Sequence, residues 1–177
     1  MRNSWKVFLV ALAAVGGVAW WLIRSAPARV EVGMVAPDFT ATDLATGKVV
    51  SLRASYRGTV TLVNIWATWC DPCKQEIPAM DSLYRSLASR GFRIAAVSID
   101  KGSPTSVKKF AAQYGISFDV LHDPSGAIQE IYQTSGVPES FLVDKTGNIV
   151  RIAQMAAPWN SPENHRIIEH LLAAPAS

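Results

Sequence analysis

The chain predicts an α/β fold, one mixed sheet with helices on both sides, and three observations carry that expectation. Thr59 to Trp66 (TVTLVNIW) and Phe92 to Ile99 (FRIAAVSI) are nearly continuous apolar, β-branched runs, the pattern of strands covered on both faces. Between them, Ile77, Met80, Leu83, Tyr84 and Leu87 recur at helical spacing. The last part of the chain gives two short β-prone runs around a turn and a final helix, so strands and helices alternate to the end.

The elements follow in order. Val7 to Ile23 is an apolar run without a charge, bracketed by Lys6 and Arg24. As a helix it reaches about 26 Å, just enough to span a bilayer, and it is expected to be one transmembrane anchor. Trp20 and Trp21 at its end suit the headgroup layer. The rival reading is a cleaved signal peptide, because Ala26-Pro27-Ala28 has the small-x-small form of a processing site. Arg2 and Lys6 on one side balance Arg24 and Arg29 on the other, so charge does not set the orientation. Residues 1–29 are therefore expected to be anchor and linker, and residues 30–177 one folded domain.

Within that domain Thr46-Gly47-Lys48, between short β-prone runs, reads as the turn of a small hairpin. The helix after the first long strand is expected from about Asp71 to Ser89, with Gly91 just beyond its end. Ser103-Pro104 opens a second helix carrying Val107, Phe110 and Tyr114, proline being suited to a first helical turn. A short strand over Phe118 to Leu121 and a short helix over Ala127 to Tyr132 come next. Ser140 to Asp144 and Asn148 to Gln154 form a hairpin turned by Lys145-Thr146-Gly147, and Pro162 to Leu172 is the last helix.

Composition narrows the function. The chain has 177 residues, 49% of them hydrophobic, enough for one compact core. Its net charge of +3 comes from the N-terminal segment: beyond Arg29 there are 13 basic residues against 14 acidic ones. Lys108-Lys109 is the longest basic run, so a nucleic-acid partner is excluded. The two cysteines can form neither a disulfide scaffold nor a four-thiolate zinc site, and must act as a pair.

That pair is Trp69-Cys70-Asp71-Pro72-Cys73, directly between a strand and a helix. Cysteines three apart on a helix share a face, with α-carbons about 5 Å apart, within disulfide reach. The free N–H groups and the macrodipole of a helix N-terminus favour an anion, so Cys70 is expected to be an acidic thiol and nucleophile. Cys73, one turn further in, is placed to attack a mixed disulfide on Cys70. Asp71 opposes the thiolate by like charge while complementing the dipole. The competing readings are a structural disulfide, which stabilises little across so short a loop, and a metal half-site. A zinc site would draw on His122, His165 or His170, and the last two, five apart on a helix, point in different directions.

On these residues the chain resembles the thioredoxin superfamily, and within it the TlpA/ResA-like membrane-anchored thiol:disulfide oxidoreductases. The resemblance runs from about Gly33 to Trp159. It is strongest at Ala36-Pro37-Asp38-Phe39, from Asn64 to Pro78 (NIWATWCDPCKQEIP), and from Gly136 to Asp144 (GVPESFLVD). It implies a thioredoxin fold with an N-terminal β-hairpin and an inserted helix and strand, here about residues 103 to 121. It implies an active site outside the bacterial cytoplasmic membrane, where such proteins reduce disulfides, for example in cytochrome c maturation. The implied partners are disulfide-containing envelope proteins such as apocytochrome c and a membrane electron-donor protein; no cofactor or metal is implied.

The resemblance also assigns roles. Asn64 stands where ordinary thioredoxins carry a buried aspartate. Glu76 matches an acidic residue of the TlpA/ResA-like branch and is expected to assist proton transfer at Cys73 or raise the thiol pKa, against the plainer reading of a solvated residue paired with a lysine. Val137-Pro138 is expected to be cis, with the Val137 backbone binding an extended substrate segment. Trp66 and Trp69 wall the site, and Met34, Met80 and Met155 read as fillers. Two alternatives remain at this level. A peroxiredoxin-like peroxidase wants Thr-x-x-Cys, whereas Thr68 is two residues before Cys70; a copper chaperone of Sco-like type would need His122 as third ligand.

Overall fold

The computed structural model describes residues 30–175, together with Leu9, Val15, Gly16, Gly17 and Trp20. Apart from those five positions, the anchor expected over Val7 to Ile23 lies outside the described residues. Among the described residues no helix is long and apolar enough to cross a membrane.

Among the described residues seven strands form one sheet: β1 (Thr40–Asp43), β2 (Val49–Ser51), β3 (Val60–Trp66), β4 (Phe92–Ser98), β5 (Asp119–His122), β6 (Glu139–Val143) and β7 (Ile149–Ala153). Their order is β2-β1-β5-β4-β3-β6-β7. The two apolar runs are neighbours, parallel in register from Val60 opposite Phe92 to Trp66 opposite Ser98. Every residue of β3 is buried, so both its faces are covered, as a strand without polar alternation requires. The β1–β2 and β6–β7 hairpins are antiparallel, and β6 runs antiparallel to β3. Leu62, Ile65, Phe92, Ile94, Leu121 and Phe141 are among the fully buried side chains of the core.

Among the described residues four helices connect them, α1 (Leu52–Ser55), α2 (Asp71–Leu87), α3 (Pro104–Gln113) and α4 (Ala127–Tyr132), and α5 (Pro162–Ala173) follows β7. Both β3–α2–β4 and β4–α3–β5 are crossovers between parallel strands, the connection parallel pairing demands. The N-terminal hairpin and the inserted α3–β5 unit occupy the expected segments. Ser103 and Ser161 cap α3 and α5, their hydroxyls accepting from Thr105 N–H and Asn164 N–H, with proline at each first turn. The sequence reading missed α1, a single turn capped by Ser51; four residues are too few to show a helical period. Helix α2 ends at Leu87, and a 3-10 turn over Ala88–Arg90 leads to Gly91 with φ 98°, a left-handed stop suited to glycine.

Candidate active site

The cysteine pair sits where β3 hands over to α2. Cys70 is the N-cap of α2, with extended φ and ψ of −88° and 108°, and its Sγ accepts the Cys73 N–H at 3.2 Å. The pair is a disulfide with α-carbons 5.3 Å apart. Both are buried, Cys73 at 1% exposure and Cys70 at 5%. Once the bond opens, Cys70 Sγ lies on the unpaired N–H groups at a helix start, which stabilise a thiolate. Asp71, exposed, pairs with Lys74 Nζ at 2.7 Å, which holds its carboxyl below the usual range, so a neighbouring cation meets the like charge anticipated beside the thiolate.

The other candidates converge on this end of the sheet. The Val137–Pro138 peptide is cis. The β3–β6 ladder ends at Ile65 opposite Glu139, so Pro138, one residue before β6, lies at the end of β3 that leads toward the cysteines. Val137 is half-buried and Pro138 buried, while Trp69, beside Cys70, is 64% exposed. Trp66 is buried, its ring 5.2 Å from that of Phe110 on α3. Glu139 is buried too, and burial pushes its carboxyl up, against donors from the Ser135 backbone and the Gln154 side chain.

Glu76 is not the solvated, lysine-paired residue of the plainer reading. It is 3% exposed, three residues past Cys73. Its Oε1 accepts from Asn64 Nδ2 at 2.8 Å, and its Oε2 from Ala157 N–H and Trp159 Nε1, each at 3.3 Å. Asn64 also donates to the Ser140 hydroxyl at 2.9 Å. Burial raises the Glu76 carboxyl to about 7, although all three donors favour its charged form and pull the other way. Asn64 and Glu76, singled out separately in the sequence, are therefore directly bonded.

Ser140, Ala157 and Trp159 had no local signal, because they reach Glu76 and Asn64 from strands and turns far along the chain. Asp100, whose carboxylate holds Thr68 on the loop before Cys70, did have one. It stands just past the C-terminal end of a central parallel strand, where sites in α/β sheets form.

The metal readings find little geometry. His122 is buried with Nε2 2.8 Å from the Asp100 carbonyl, and His165 Nε2 meets Asn160 Oδ1 at 2.7 Å. Among the described residues no three His, Cys, Asp or Glu side chains form a metal-binding group. A cavity of about 310 Å3, lined in part by Leu52, Tyr56, Thr61, Val143 and Lys145, lies toward the opposite ends of β3 and β6 and contains none of the candidate residues.

Known proteins are similar to this chain in sequence and fold. A model of the AhpC/TSA family matches residues 32–152. The thiol-disulfide oxidoreductase ResA of Geobacillus kaustophilus is 37% identical over 167 residues, covering 93% of this chain and 92% of that protein. Two crystal structures share the fold. One is the thioredoxin domain of a thiol-disulfide oxidoreductase from Bacteroides vulgatus, at TM-score 0.70 and 27% identity, covering 80% of this chain and 98% of that one. The other is a thioredoxin-family thiol:disulfide interchange protein from Chlorobium tepidum, at TM-score 0.64 and 29% identity, covering 84% and 100%. The family model matched over residues 32–152, and the 37% identity to ResA over 93% of the chain, make this protein, with its helix-capping cysteine pair and its cis-proline, a member of the AhpC/TSA family in the thioredoxin superfamily, on its ResA-like thiol-disulfide oxidoreductase branch.

Proposed function

We propose that the protein is a thiol:disulfide oxidoreductase of the bacterial cell envelope that reduces disulfides in protein substrates. The observation that carries this reading is Cys70 Sγ at the N-cap of α2, accepting the Cys73 N–H. The Cys70 thiolate attacks one sulfur of a substrate disulfide, forming a mixed disulfide and releasing a substrate thiolate. Cys73, as thiolate, then attacks Cys70 Sγ, releasing the second substrate thiolate and closing the Cys70–Cys73 bond. Two electrons pass to the substrate, and a dithiol membrane protein returns them. Val137 and Pro138 bind the substrate backbone, Trp69 walls the entry, and Glu76 exchanges the proton that Cys73 loses.

The family resemblance supports a residence outside the cytoplasmic membrane, tethered through residues 7–23, and apocytochrome c as one substrate class. The peroxidase and copper alternatives are not favoured: the Thr68 hydroxyl is committed to Asp100, and His122 to the Asp100 carbonyl. Substrate trapping with Cys73→Ser tests the proposal. Mixed disulfides on Cys70 that dissolve on reduction are expected, and an empty trap overturns it.

A further inference from the structure

Behind the Cys70 loop lies a second buried polar cluster that the exchange steps do not use. Asp100, two residues past the end of β4, is 6% exposed. Its Oδ2 accepts the Thr68 N–H at 2.8 Å and the Ser98 hydroxyl at 2.7 Å, and its Oδ1 accepts the Thr68 hydroxyl at 2.5 Å. Ser98 Oγ in turn accepts the Asp100 N–H at 3.2 Å, and His122 Nε2 meets the Asp100 carbonyl at 2.8 Å. Ser98 and His122 are buried as well.

A buried carboxylate is costly unless donors fill its lone pairs. Here two of its three side-chain-directed donors come from one residue, Thr68, on the loop between β3 and Cys70. A backbone N–H and a hydroxyl on the same carboxylate fix both the place and the orientation of that residue. The turn closes at once, the Cys70 N–H reaching the Ala67 carbonyl at 3.2 Å. On the other side Asp100 follows two residues after β4 in the chain and its carbonyl meets His122 on β5, so the loop is referred to two strands of the sheet.

We propose that Asp100 and Thr68 act as positioning residues for Cys70: their paired hydrogen bonds fix the Ala67–Cys70 turn so that the sulfur stays on the first N–H groups of α2. The inference rests on the oxidoreductase reading above, since it matters only if Cys70 is the attacking thiolate.

The test is the pH profile of Cys70 alkylation in the reduced full-length protein, with thermal unfolding in parallel. Thr68→Val removes the hydroxyl but keeps the Asp100 charge, so it reads position without altering the local field. A rise of one pH unit in the thiol's titration lowers its thiolate fraction tenfold below that midpoint. Thr68→Val is expected to slow alkylation at pH 6 at least threefold, and Thr68→Ser to restore it. Ser98→Ala removes a donor from the same carboxylate without touching the loop, and is expected to leave the profile within twofold. The proposal is overturned if Thr68→Val leaves the profile unchanged, whatever it does to thermal stability, or if Ser98→Ala shifts it equally. Wild-type protein with Cys70 no faster than free cysteine would instead overturn the oxidoreductase reading, so the two failures are distinct.

Discussion

Glu76→Gln tests whether burial governs the carboxyl under the cysteine pair. Glu76 is 3% exposed, and its carboxyl is raised from 4.5 to about 7 by burial. Between those values the folded protein holds a proton that the unfolded chain has released, so stability is greatest below about 4.5 and falls as pH rises toward 7. At ~1.4 kcal/mol per pH unit, the loss amounts to about 3 kcal/mol. For a chain of this size that corresponds to roughly 10 °C in melting temperature. Glutamine cannot ionise and resembles the protonated carboxyl, although its amide N–H groups meet partners that all donate. The assay is thermal unfolding of the oxidised proteins, in which the cysteines do not titrate, from pH 4.5 to 8. The melting temperature of Glu76→Gln is expected to gain on the wild type from pH 4.5 to about 7 and then level off. A difference that stays constant with pH would refute the argument, because the carboxyl would then titrate alike in the folded and unfolded chains.

Two further outcomes follow from the same geometry. Asn64→Asp would place a second carboxylate where an amide now donates to Glu76 at 2.8 Å. It should steepen the loss of stability above pH 6 by a further few kcal/mol, read by urea unfolding at pH 6 and 8, since two adjacent buried carboxylates resist joint ionisation. Trp69→Ala removes a side chain that is 64% exposed, so melting temperature should change little, by about 0.5 kcal/mol or less in stability. The KM for a disulfide-bonded peptide should rise several-fold if the indole walls the substrate site, and an unchanged KM removes it from that role.

Much of the architecture was legible because it is written locally. The serine-proline starts of α3 and α5 and the glycine stop after α2 each depend on a few adjacent residues. Ala127 to Tyr132 is a helix over the residues expected, and most strand limits fall within one residue of the apolar runs. Candidate placement was legible to the same depth: Cys70 and Cys73 lie on one helical turn, and Pro138, singled out through the family resemblance, directly precedes β6. The environment of Glu76 was not legible. Its solvated reading is the ordinary expectation for a charged residue on a helix surface, and the residues that bury it lie 12, 81 and 83 positions away.

The sequence by itself determined the strand and helix runs, the cysteine spacing and its place at a helix start, because periodicity and capping act over a single turn or strand. Only the tertiary structure decided that β6 lies beside β3, bringing Glu139 opposite Ile65 and Ser140 onto Asn64, and that Asp100 grips the loop before Cys70. Those contacts join residues 32 to 76 positions apart, and the free energy of burying a polar group depends on which distant donors reach it, a quantity that no local pattern encodes.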